Sequence, residues 1–238
     1  MFGFSHFLLS VYILGYIFRS SMAWEVKMPR HIKGLLNSCL VIPCTFDYDQ
    51  NPPRRPDRVV WYQNVERGYP LVYDNWNPGQ VIYAFRGKTE RIYSTSKTCS
   101  LRIYPVTWSH HRQKIYPWVD PENIWSSTYR FFDTTVTIEV DSTPEKPLIT
   151  VSGDTKVGQS VQLHCTVHHT CPTYPPTLTF NSPLRNGRVN HDCSSSGICK
   201  TTLTSTLDIK SDHESVTCSV RHTGGLTAST SGILNAEC

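Results

Sequence analysis

The chain has 238 residues, enough for two domains of about a hundred residues each, with 39% hydrophobic content to fill two modest cores. Its net charge of +4 is small and dispersed: residues 24–141 hold 15 Lys and Arg against 12 Asp and Glu, and residues 142–238 hold 7 against 7. Nothing in that balance makes the basic run or stripe of a nucleic-acid binder, and an anionic partner is favoured only weakly, through the first half.

Residues 4–18 form a 15-residue apolar stretch, too short to span a bilayer comfortably, and Ser21-Met22-Ala23 follows with small residues where a signal peptidase reads. This predicts a signal peptide over 1–23 and a mature chain from Trp24. No Lys or Arg precedes the apolar run and Arg19 follows it, so a retained signal-anchor stands as the alternative. No later stretch is apolar enough to span, which predicts a secreted chain or the extracellular part of a longer receptor at the plasma membrane. In that compartment nine cysteines read as disulfides, and the odd count leaves Cys238 over.

From Trp24 onward the sequence reads as short strands divided by turn residues. Leu40–Phe46 predicts one strand. Arg58–Gln63 predicts the next, with Trp61 at the place of a core tryptophan, and Cys99–Tyr104 and Thr134–Val140 alternate as two more. Gly68–Ile92 is long enough for the extra strands of a variable-type immunoglobulin-like domain, which sets the first domain at 24–141. A proline-bearing linker over 142–147 follows. The second domain, 148–238, opens on Leu148–Val151, continues in an alternating strand over Gly158–Cys165 and carries another over Ser215–Val220, with Phe180 where a core tryptophan is usual. Cys193 and Cys199 flank Ser-Ser-Ser-Gly-Ile and predict a local hairpin bridge. The fold class is therefore all-β, two immunoglobulin-like sandwiches in tandem, variable-type then constant-2-type.

The order Trp24-Glu25-Val26-Lys27-Met28-Pro29, Cys39-X4-Cys44-Thr45-Phe46, Trp61-Tyr62, Cys99-Ser100-Leu101 and Cys165-X5-Cys171 resembles the first two domains of the siglecs, the sialic-acid-binding immunoglobulin-like lectins. The resemblance implies Cys44–Cys99 and Cys165–Cys218 inside the domains and Cys39–Cys171 between them, with Cys44–Cys99 joining two strands of one sheet. It also implies a sialic-acid site in the first domain: Trp24 as the N-terminal aromatic, Tyr129 as the aromatic of the last strand, and an arginine on the strand before it. That arginine falls at Pro117 or Trp118, a one-residue choice of register, and neither is a cation. Arg130, Lys114 and Arg112 are the candidates for a displaced cation, with ordinary solvated surface as the competing reading.

The remaining constellations carry less. His164, Cys165, His168, His169 and Cys171 mix zinc-ligand types, but a cysteine held in a disulfide is no metal ligand, so neither metal nor cofactor is expected. His110-His111 reads as a solvated pair in a turn. No nucleophile elbow, Gly-rich phosphate loop or His-Glu-X-X-His is present, which argues against an enzyme. The resulting expectation is a cell-surface recognition or adhesion ectodomain whose partners are sialylated glycans, glycoproteins or a protein ligand. The competing class is a soluble non-lectin decoy or adhesion protein that does not bind sialic acid.

Overall fold

The computed structural model describes residues 24–48, 52–123, 129–130, 133–182 and 184–237. The expected signal segment and Cys238 lie outside them, and among them no helix is long and apolar enough to cross a membrane. The first sandwich contains β1 (Trp24–Lys27), β2 (His31–Leu35), β3 (Leu40–Ile42), β4 (Thr45–Tyr48), β5 (Val59–Gln63), β6 (Leu71–Tyr73), β7 (Thr89–Arg91), β8 (Leu101–Ile103), β9 (Lys114–Val119), β10 (Tyr129–Arg130) and β11 (Val136–Asp141). One sheet runs β2-β11-β9-β5-β6, with β10 beside β9. The other layer holds β3-β8-β7 and the pair β1-β4.

The strand expected over 40–46 is broken. β3 pairs with β8 and β4 with β1, and Pro43, which has no amide hydrogen for a ladder, stands at the break. Across it the Cys44 amide donates to Ser100 Oγ (2.9 Å) and the Cys99 amide to the Cys44 carbonyl (2.8 Å), so the Cys44–Cys99 disulfide lies within one sheet. Trp61 is fully buried beneath it, its indole N–H donating to the Cys99 carbonyl (3.0 Å). Burying the indole N–H with a partner is what lets so large a ring sit at the centre of the core.

The second sandwich contains β12 (Leu148–Ser152), β13 (Ser160–His169), β14 (Thr177–Phe180), β15 (Arg185–Cys193), β16 (Cys199–Asp208), β17 (His213–Arg221) and β18 (Thr227–Asn235). Its sheets are β12-β13-β16-β15 and β14-β17-β18, joined by Cys165–Cys218. The constant-2-type expectation takes one refinement here: the strand following β14 lies beside β16, a four-plus-three division. Phe180 packs on both apolar clusters of this domain, as a core aromatic should. Cys193–Cys199 closes the β15–β16 hairpin.

The two sandwiches meet over a covalent tie, Cys39–Cys171. Beside it the Val41 amide donates to the Thr170 carbonyl (2.9 Å) and Thr170 Oγ1 to the Lys33 carbonyl (2.8 Å). Gly224, at φ +92°, comes so close to Asn37 that a Cβ there would lie 2.2 Å from the Asn37 carbonyl oxygen. Only glycine fits that approach.

A cleft of about 620 Å³ opens at the junction, and His168, His169 and His222 line it. The buried His169 ring accepts from the Cys171 amide at Nδ1 (3.2 Å), so it is neutral and its Nε2 donates to Thr201 Oγ1 (2.8 Å). Burial, then the neighbouring His222, His191 and His168, pushes its pKa down to about 4. The folded value lies below the unfolded one, so the stability linked to this group is complete above about pH 6.5 and is lost as pH falls from there toward 4. The full loss is about 3 kcal/mol. Thermal unfolding from pH 7 to 4.5 should show a falling midpoint, and His169→Gln should flatten that slope; an unchanged slope in the variant would assign the acid sensitivity elsewhere.

Candidate functional site

Strand alternation decides which residues β9 shows to solvent. Ile115 and Val119 belong to the core, so Pro117 between them points inward, whereas Lys114, Tyr116 and Trp118 take the outer face. Of the two registers left open by the sequence, Trp118 is the residue on that face. On the neighbouring β5, Val59 and Trp61 are core residues, so Arg58, Val60 and Tyr62 lie on the same outer face as Trp118, with Val60 directly opposite it.

An aromatic patch results. The Tyr62 ring lies 6.0 Å from Tyr116 and 5.8 Å from Trp118, and Tyr69 reaches over from the β5–β6 connection to 6.1 Å from Tyr62 and 5.8 Å from Trp118. Tyr116 is buried as the floor and Tyr69 is exposed at the rim. Burial, together with the Asp74 charge, pushes the Tyr62 phenol up to about 12, so it stays neutral at physiological pH. One stacked, one edge-on and two tilted contacts hold the rings at fixed angles.

A charge network borders the patch at the start of β5. The buried Arg58 guanidinium grips Asp74 through two bonds (2.7 and 3.1 Å), meets Glu122 (2.6 and 2.9 Å) and lies 4.0 Å over the Trp76 ring. Burial alone would lower the Arg58 pKa, and the two carboxylates outweigh it. Burial alone would likewise raise Asp74, but Arg58, Asn77 and the Trp76 amide hold it below the ordinary carboxylate value. Arg55 is engaged in the same way by Asp120 and Glu122, both at 3.2 Å. Neither arginine is therefore offered to a ligand.

Tyr129 and Arg130 were expected on the last strand. They form the separate strand β10, in register with Val119 and Trp118 respectively, so Arg130 stands directly across from Trp118. Among the other candidate cations, Lys114 is exposed at the far end of β9, and Arg112 precedes that strand at φ +62°. Trp24 belongs to the β1–β4 pair, in the layer opposite β9, where it stacks on Phe46 (6.2 Å) and tilts against Tyr48 (5.2 Å). The structure thus brings Arg130 to Trp118 by register and sets Trp24 on a different sheet.

The His110-His111 reading is corrected. His110 is fully buried, stacks on Phe85 (4.7 Å) and bridges the Thr107 amide and the Ala84 carbonyl, while His111 Nδ1 accepts from the Val140 amide (3.0 Å). These rings lock the turn before β9 to its neighbours, which no turn composition signals. Of the second-domain histidines, His164 bonds Ser152 and Thr204, and His168 meets Glu145 (3.1 Å). Cys165 and Cys171 are in disulfides, and among the described residues no group of three or more His, Cys, Asp or Glu is placed to hold a metal. The sequence reading missed Tyr62, Tyr69 and Tyr116. Period-two alternation along 58–62 and 114–118 could have found two of them, but Tyr69 arrives through a loop.

No protein-family model matches the chain. The sequence is similar to myelin-associated glycoprotein. Identity to the human protein is 25% over 178 residues, covering 71% of this chain and 27% of that protein. Schwann cell myelin protein of Coturnix japonica is 23% identical over 190 residues, 75% of this chain and 29% of the relative. The chain therefore spans less than a third of the curated relatives it matches. Among solved structures, bovine butyrophilin aligns over 90% of this chain and 99% of its own at 15% identity and a TM-score of 0.39. The mouse nectin-like molecule 4 ectodomain aligns over 87% and 66% at 14% identity and 0.36.

Proposed function

We propose that this chain is the ligand-binding end of an extracellular recognition protein of siglec type, and that its ligand docks on the outer face of β5 and β9. The observation that carries the reading is the cluster of Tyr62, Tyr69, Tyr116 and Trp118 on that face. Aromatic faces stack on the apolar faces of sugar rings, and Tyr and Trp are also enriched in protein–protein contacts. A sialylated glycan is the first ligand class, with Arg130 across from Trp118 as the cation for its carboxylate. Tyr129 borders the same edge. Trp24 enters only if the glycan reaches around to β1. Trp118 at the clasp position favours a second reading, a protein ligand engaged by the same patch without sialic acid.

A sialoside array read with the natural chain, Trp118→Arg and Arg130→Ala separates the two. Without a two-pronged contact the natural chain should bind about ten- to a hundredfold more weakly than a siglec that retains it. Trp118→Arg should strengthen the signal and Arg130→Ala should abolish it. Siglec-strength binding that Arg130→Ala leaves untouched would remove Arg130 from the site. Silence of the natural chain across the array, with cell binding that survives sialidase, would support the protein ligand.

A further inference from the structure

β15 is the outer strand of its sheet, pairs with β16 alone among the described residues, and is exposed along its whole length. Such an edge is a template for another strand unless proline, a bulge, a cover or charge left unpaired by the added strand guards it, and the bulge of β15 lies between Arg185 and Arg188, before the stretch 188–192. Between 188 and 192 the sequence is Arg-Val-Asn-His-Asp: it contains no proline, and its two charged residues are opposite in sign. Neither the Arg188 nor the Asp192 side chain has an ion-pair or hydrogen-bond partner among the described residues, whereas the Arg185 side chain is held by Asp208. The sequence contains no Asn-X-Ser/Thr site, so no N-linked glycan shields this edge.

Register decides which backbone groups are available. The Ser194 amide donates to the Ile198 carbonyl (2.9 Å), which makes those two a hydrogen-bonded pair of the hairpin. Pairs alternate along an antiparallel ladder, so Cys193 and Cys199 are a non-bonded pair, in agreement with their Cα separation of 4.0 Å. Residues 188, 190 and 192 then direct their amides and carbonyls to β16, and Val189 and His191 direct theirs outward.

We propose that β15 pairs antiparallel with β15 of a second copy of this chain, about a two-fold axis at Asn190. In that register Val189 lies opposite the partner's His191, both with outward backbone groups, and each such pair exchanges both of its bonds. Arg188 lies opposite the partner's Asp192, and the symmetry makes the pair twice. The motif Arg-X-X-X-Asp is complementary to itself when reversed, which selects a second copy over a foreign strand. One strand per chain is a small interface, so the dimer is weak and gains from two copies held on one surface.

Sedimentation equilibrium of the two-domain chain at high concentration tests this, with Cys238→Ser in every sample so that no intermolecular disulfide contributes. The chain should dimerise. Arg188→Asp should weaken association by about tenfold or more, and Arg188→Asp with Asp192→Arg should restore it. Val189→Pro, which removes an outward amide and spares the β16 ladder, should weaken it as well. A monomer at all concentrations, a dimer indifferent to Arg188→Asp, or a double reversal that fails to restore association would each overturn the proposal.

Discussion

A chain with Cys39→Ser and Cys171→Ser is expected to keep both sandwiches and lose about 5 kcal/mol of stability, because the tie closes a separation of 132 residues. That figure follows from chain entropy: the cross-link removes more freedom from the unfolded chain the longer the loop it closes. The angle between the domains should be lost as well. Without the disulfide the junction rests on the Val41–Thr170 and Thr170–Lys33 bonds, the close approaches of Gly224 to Asn37 and of Gly197 to Pro43, and the Tyr174 ring beside Tyr104 and Arg102. Contacts of that extent leave relative domain motion as the ordinary state. Chemical denaturation should show the loss, and small-angle scattering should show a broader distribution of shapes. Unchanged scattering would mean that the non-covalent contacts alone hold the elbow.

Arg58→Ala should cost the first domain about 3–5 kcal/mol, since it leaves the buried Asp74 carboxylate without its guanidinium. The loss of the cation over Trp76 adds to this. The pH dependence supplies a signature that simple loss of packing would not. In the natural chain Asp74 titrates below its unfolded value, so its contribution is present above about pH 4 and is lost as pH falls through the folded value. In Arg58→Ala burial is opposed only by Asn77 and the Trp76 amide, so that pKa rises and the gain in stability from pH 4 toward neutrality should shrink or reverse. Asp74→Asn added to Arg58→Ala should recover part of the loss. A pH profile parallel to that of the natural chain would show that Asp74 does not depend on Arg58.

What the sequence discloses follows from the range of each interaction. Period-two alternation places Trp61 and the strands around it, because that signal is local. Eight cysteines allow 105 pairings, so Cys39–Cys171 was accessible only through likeness to a known pattern. The break at Pro43 turns on which strand each half finds, a tertiary outcome. Arg58 reads as the first residue of a strand, and its partners Asp74 and Glu122 lie 16 and 64 positions away. His110, two residues from Arg112, looks solvated until Phe85 and Ala84 close over it. β15 escaped notice because Arg185–Cys193 has no apolar face to alternate; its pairing with β16 is what makes it a strand.

The ligand face itself is tested most directly by cell-surface binding of a multimerised chain carrying Tyr69→Ala and Trp118→Ala, two substitutions on the outer side of the sheet that leave the Trp61 core intact. Binding to cells that capture the natural chain should fall by at least about tenfold while the melting temperature stays close to natural. Binding at natural strength by a folded variant would contradict docking on β5 and β9.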